Sequence, residues 1–257
     1  MTTNGEATTV TVVTMLLLLP PSEGKAPGGT KTRTPDSFAK TLGAQRSEVL
    51  GAVEELLASH HPQRVSKILG VRGDLFDRAV NAYVAMFAGT RELLPAWRRY
   101  SGVVWSALCP EELTSEQLSH ILIPSALYGL TTALDRIADY RLTFKVGLGD
   151  IGNLSHFWRP SITAAIAARA TGGPVVDLLP AEHAAAVDFE ALESSAKIVR
   201  VEFLKSGGRG AAGHGAKTVK GLFARHLIEH GLGHSSKFKA PGWRVVDNGA
   251  TIQIVEE

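Results

Sequence analysis

LLLLPPSEGKAPGG, residues 16–29, joins an unbroken apolar run to two prolines, a polar Ser22–Lys25 segment and a pair of glycines. With Val12 and Val13 upstream, the run shows no polar alternation, so both of its faces require cover. That predicts a central buried strand over 11–19. Pro20-Pro21 cannot continue a ladder, and Gly28-Gly29 permits backbone shapes closed to other residues. Ser22, Glu23 and Lys25 are therefore expected at a sheet edge opening onto the main cleft, where α/β proteins build their sites. Glu23 is a candidate general base or cation ligand, and Lys25, with Ser22, a candidate anion contact. A plain surface turn accounts for the same residue types.

The rest of the composition is that of an ordinary globular chain. Of 257 residues, 44% are hydrophobic and 20% charged, enough for a large core. The net charge of +2, from 27 basic and 25 acidic residues, is too balanced to indicate nucleic-acid binding by itself, so any basic surface is local. Cys109 is the single cysteine, which excludes an intrachain disulfide and a cysteine cluster and fits a reducing cytoplasm. The N-terminal apolar stretch has no preceding Lys or Arg and is too short to span a bilayer; no membrane role is expected. Residues 1–10, small and polar, are expected to be a disordered tail ahead of one domain over 11–257.

Periodicity gives the order of elements. Apolar spacing of three and four predicts a helix over 36–59 opening on Asp36, then two helices within 62–88 around LGVRG. YSGVVWSAL (100–108) and ILIPSALYGLT (121–131) read as strands or buried segments, HFWRPSITAAIAARA (156–170) as a helix and PVVDLLP (174–180) as a short buried strand. KIVRVEFLKS, AKTVKGLFARHLIEHGL and GWRVVDNGATIQIVEE follow as strand, helix and a hairpin turning at Asp247-Asn248-Gly249. The fold class is α+β, a single domain with a mixed sheet flanked by helices.

Three further segments carry candidate chemistry. In DRIADYRL, Arg136 and Arg141 offer planar forks for phosphate or carboxylate, and Tyr140 a ring and a hydroxyl; pairing of Arg136 with Asp135 or Asp139 on a solvated face is the plain alternative. In GHGAKTVKGLF, Lys217 and Lys220 fall on one side of a helix start, where cations oppose the helix dipole unless an anion binds there; His214 is a candidate proton carrier. His226, His230 and His234, four apart, read as a solvated helix face, and no metal site is expected. SKILGVRGDLFDRAV (66–80) resembles a DNA-binding helix-hairpin-helix with one residue too many in its turn. Lys67, Gly70, Arg72 and Gly73 would then contact phosphates, although a simple helix connection serves equally.

The quoted loop, YSGVVWSAL, SALYGLTTALDRIADYRLTF, HFWRPSIT, VVDLLPAEHAA and HGAKTVKGLFARHLI occur in the order of the YaaA family of peroxide-stress proteins, which this chain resembles over nearly its whole length. The resemblance implies a cytoplasmic protein linked to hydrogen-peroxide protection and iron restraint, binding DNA through a helix-hairpin-helix beside a basic cleft. The family's usual Arg-Pro after LYGL is missing from LTTALDR, and Ala216 stands where an Asn precedes the first lysine. Asp135, Arg136, Tyr140, Arg141, His214, Lys217, Lys220 and Gly221 match the family pattern.

Two readings follow. One is a DNA or nucleic-acid-type anion binder. The other is an enzyme modifying a nucleobase or similar purine-type small molecule, for example by N-oxidation or N-hydroxylation, with Glu23, Tyr140, His214 and Lys217 catalytic and Ser22, Lys25, Arg136, Arg141 and Lys220 binding. Under either, Glu23, Lys25, Arg136, Tyr140, Arg141, His214, Lys217 and Lys220 are expected in one pocket. No dinucleotide fingerprint or phosphate loop is present, so cofactor use stays open; a monomer is expected.

Overall fold

The computed structural model describes residues 15–32, 36–59, 61–207, 213 and 215–257. Seven strands form the main sheet: β1 (Leu16–Leu18), β2 (Ile121–Ser125), β3 (Gly129–Thr132), β4 (Val175–Asp177), β5 (Ile198–Leu204), β6 (Trp243–Asp247) and β7 (Thr251–Glu256). Their order is β6-β7-β5-β4-β1-β2-β3. β1 pairs in parallel with β2 on one side and β4 on the other, and Leu17, Leu18 and Leu19 are fully buried. The sheet is mixed, as expected: β4, β5 and β7 continue the parallel set, while β3 and β6 are antiparallel edges. The expected tail and residues 11–14 of the predicted first strand lie outside the described residues.

The last ladder bond of β1 runs from Leu19 N to Leu122 O; Pro20 then has no N–H to offer. Its carbonyl accepts from Trp105 Nε1 at 3.0 Å, which fixes where the chain leaves the sheet.

The six longest helices among the described residues are α1 (Ala39–Ala58), α2 (Pro62–Leu69), α3 (Asp74–Phe87), α4 (Val103–Leu108), α5 (Leu154–Ala170) and α6 (Gly215–His230). α1 starts three residues after the expected Asp36. That carboxylate accepts from Phe38 N at 2.9 Å and pairs with Arg46, so it organises the approach to the helix. α5 starts earlier than its apolar pattern suggests, because the Asn153 side chain accepts from Ser155 N and His156 N. The terminal hairpin turns as read: Asp247 Oδ1 accepts from Gly249 N at 2.8 Å, and Gly249 takes φ +84°.

One reading needs correction. Val103–Leu108 is a helix, not a strand. Its β-branched and aromatic residues suit a strand locally, but Val104, Trp105 and Leu108 are all buried on a helical face. The α2–α3 connection is not shown to be a helix-hairpin-helix. Gly70 and Gly73 take positive φ, Val71 N donates to Ser66 O at 3.1 Å, and Ser66 Oγ donates to Val71 O at 2.5 Å. Val71 itself is in the core, so the turn stops one helix and starts the next around a buried anchor.

α4 and α6 cross closely, and Gly221 makes this possible. A Cβ there would stand 2.7 Å from Ala107 Cβ and 3.0 Å from Leu108 N, and closer still to Val104 O. Gly221→Ala therefore loses more to overlap than the roughly 1 kcal/mol it gains in helix propensity. The expected result is a lower midpoint in thermal or urea unfolding; an unchanged or raised midpoint would show that the two helices separate freely.

Candidate functional site

β1 leads into helices that return to β2 on one side of it, while β4 leads to β5 on the other. The loops leaving β1 and β4 thus diverge, and the crevice between them at the C-terminal strand ends is the switch point where open α/β sheets bind ligands. A cleft of about 650 Å³ lies there. Pro21–Lys25 form one side, Glu182 and His183 after β4 another, and Tyr140–Phe144 the base. Leu69, Val71 and Leu75, from α2, the α2–α3 turn and α3, add an apolar wall.

Lys25 is the central group. Only 7% exposed, its Nζ donates to Ser22 O at 2.9 Å and stands 4.2 Å above the centre of the Tyr140 ring. Burial above all, together with the Arg141 charge, lowers its pKa from 10.5 to about 7 against the pull of Asp139 and Glu23. Among the described residues no carboxylate is within ion-pair distance of it. An amine poised near neutrality in a cleft can give or take a proton at physiological pH.

Beneath it runs a buried hydroxyl chain. Tyr140 OH lies 3.0 Å from Tyr100 OH and 2.8 Å from Ser125 Oγ, at the end of β2. Burial pushes the Tyr140 hydroxyl up to about 12. The loop above is held by its backbone: Lys25 bridges to Tyr100, Ala26 N donates to Arg99 O and Ser101 N to Gly24 O. Arg78 donates to Lys25 O at 2.6 Å while pairing with Asp139 at 2.7 Å, and Arg141 donates to Glu23 O. Gly102 sits against Ser22, where a Cβ would come within 2.7 Å of the serine Cβ.

Ser22, Glu23, Lys25, Tyr140 and Arg141 are brought together by this arrangement. Arg136 is not among the lining residues; it donates to Leu93 O at 2.8 Å and to Thr30 Oγ1, pinning the far end of the loop. Asp135 is a buried brace that accepts from Ser37 and from Thr132 N. Lys220 is not among the lining residues; its Nζ donates to Leu178 O at 2.5 Å. Lys217 is exposed in the first turn of α6, and His214 lies outside the described residues. Lys67, Gly70, Arg72 and Gly73 are exposed around the α2–α3 turn; of these only Gly70 lines the cleft.

Lys217→Ala is expected to leave the ligand-free melting temperature unchanged or slightly raised. Removing a cation from a helix N-terminus relieves about 0.3–1 kcal/mol. A melt several degrees lower would make Lys217 structural.

His183 was not singled out by sequence, and Arg78 was read only as a DNA-facing charge of the 66–80 segment. His183 sits in PAEHAA, which reads as unremarkable helix, and only its place two residues after the β4 loop hints at the cleft. Burial lowers its pKa to about 4 despite Glu182, helped by Lys220, Lys145 and Lys25. Among the described residues no group of three or more His, Cys, Asp or Glu side chains is arranged to hold a metal ion, and no helix is long and apolar enough to cross a membrane.

A family model described as peroxide stress protein YaaA matches residues 15–246. A UPF0246 protein of Streptomyces coelicolor is 32% identical over 223 residues, 84% of each chain. Another, of Corynebacterium efficiens, is 33% identical over 218 residues, 83% of this chain and 84% of its own. A UPF0246 protein of Bacteroides thetaiotaomicron is 28% identical over 189 residues, 70% of this chain and 74% of its own.

Proposed function

Since the chain belongs to the YaaA family of peroxide-stress proteins, we propose that its cleft is an enzyme-type site for a small, flat nitrogen heterocycle of the nucleobase class. The observation that carries this is Lys25, a buried amine brought to about 7 and held over an aromatic ring in a concave site. A contact dedicated to the DNA backbone needs an exposed, permanently charged group, and burying one is costly. A proton-transfer group needs the opposite, a pKa near ambient pH. The apolar wall of Leu69, Val71 and Leu75 facing Lys25 and Arg141 fits a ring with polar edges.

In this reading Lys25 exchanges a proton with the bound molecule, the Tyr100–Tyr140–Ser125 hydroxyls orient its surroundings, and Arg141 faces negative charge on the ligand. Glu23 is exposed at the rim, where it accepts from a ring N–H or exocyclic amine. An oxidising modification of such a ring requires an oxidant supplied with the substrate. The DNA reading is supported by the exposed Lys67 and Arg72 beside the α2–α3 turn.

Calorimetric titration separates the two. Free nucleobases and nucleotides are expected to bind saturably with a weak salt dependence, and Lys25→Met to weaken that binding tenfold or more. Duplex DNA that binds with a steep salt slope, survives Lys25→Met and is lost on Lys67→Ala/Arg72→Ala would replace the small-molecule reading.

A further inference from the structure

We propose that His183 gives the cleft a neutral hydrogen-bond donor, its Nε2–H, which meets an oxygen acceptor on the bound molecule. The inference rests on the cleft being a small-molecule site and adds a ligand class: rings bearing an oxo or anionic oxygen.

The imidazole is held from several sides. His183 N donates to Pro180 O at 2.9 Å, Lys220 ties down Leu178 O, and Leu179 N donates to Asp177 Oδ1 at 2.9 Å, so the whole segment after β4 is braced. Phe144 meets the ring edge-on at 5.8 Å between centroids and 89° between planes. Within this packing Nδ1 is buried and has no hydrogen-bond partner among the described residues. Nε2 is the nitrogen left open to the cleft that the residue lines.

That asymmetry selects the tautomer. A proton on Nδ1 would strand a donor in the interior, whereas a bare Nδ1 hides only a lone pair, and buried orphan donors are the rarer of the two. The proton therefore resides on Nε2. The charged groups around the ring act against a second proton: Lys25, Lys145 and Lys220 repel it, and Glu182, which alone favours it, is paired with Lys145 at 2.7 Å. His183 thus stays a neutral donor where a free histidine would titrate. Lys25, Arg78 and Arg141 also line the cleft, so its cationic donors favour a ligand edge rich in acceptors.

Hypoxanthine and adenine test this, because they differ by a carbonyl oxygen in place of an amino group. The wild-type protein is expected to bind hypoxanthine about tenfold more tightly, the effect of one well-made hydrogen bond against one unmade. His183→Phe should remove that preference, and His183→Gln, which keeps an N–H donor, should retain most of it. Nitrogen-15 NMR of the ring should show Nε2 protonated, Nδ1 bare and no titration above about pH 5.5. Equal binding of the two bases by the wild type, an unchanged preference in His183→Phe, or a protonated Nδ1 would overturn the inference and leave the cleft reading standing. A protein that binds neither base overturns both.

Discussion

Arg99→Met is expected to cost the fold about 3–5 kcal/mol of stability and to loosen the ligand loop with it. Arg99 is 1% exposed and donates to four backbone carbonyls: Gly28 at 3.0 Å, Glu92 at 3.1 Å, Ile137 at 3.4 Å, and Ala26. Among the described residues no carboxylate pairs with it. Its charge is solvated by peptide dipoles. Methionine fills most of the volume but takes the donor away from one buried carbonyl, Ile137 O, and from three part-buried ones, and each acceptor left unmet costs roughly 1–3 kcal/mol less whatever water or relaxation recovers. For a chain of this size the midpoint should fall by about 6–20 °C. Arg99→Lys should recover only part, since one ammonium cannot span the fork. A midpoint within 2 °C of the wild type, roughly the effect of 1 kcal/mol, would show that water replaces the guanidinium and that the loop is held by its other contacts.

Arg99 also marks the limit of what the sequence displays. In WRRY it looks like half of a basic surface pair, because its partners are carbonyls at positions 26, 28 and 137, far away in the chain and without a side-chain signature. β1, by contrast, is legible because four leucines without a polar break suit only a strand buried on both faces, and the prolines end it in the one way open to them. The cleft is half legible. Lys25 and Glu23 stand on a loop whose strand and prolines announce a sheet edge, and Tyr140 and Arg141 stand in a segment of unusual polar density. His183 lies in a helical alanine-rich run, and its meeting with Lys25 depends on the order β4-β1, which no local pattern contains. Lys220 shows the opposite case. Its spacing from Lys217 is real, but a neighbouring strand's loop carbonyl claims its ammonium, an event outside the helix. Val103–Leu108 misleads for the same reason: the propensity of single residues is overridden by packing against α6 through Gly221.

Lys25→Met is expected to make the protein more stable and its cleft inert. At pH 6 the wild type must bury an ammonium received by Ser22 O and the Tyr140 and Tyr100 rings, with no carboxylate in ion-pair distance among the described residues, beside the positive charges of Arg141 and Arg99. Replacing a poorly compensated buried charge by an apolar side chain of similar length commonly stabilises by about 1–4 kcal/mol, minus roughly 1 kcal/mol for the bond lost at Ser22 O. The pH dependence identifies the cause. With a folded-state pKa of about 7 against 10.5 for the ordinary amine, the unfolded chain holds a proton that the folded one lacks between those values. Wild-type stability should therefore rise with pH through the window from about 7 to 10.5, the penalty being full below 7, and Lys25→Met should lack that rise. The gain in the variant is then largest at pH 6 and shrinks toward pH 9. Ligand binding moves the other way: loss of the charge-assisted contact costs about 1.5–3 kcal/mol, tenfold or more in affinity. If Lys25→Met melts lower than the wild type at pH 6, the lysine is a structural clasp of the loop, and its assignment as the proton-transfer group of the cleft fails.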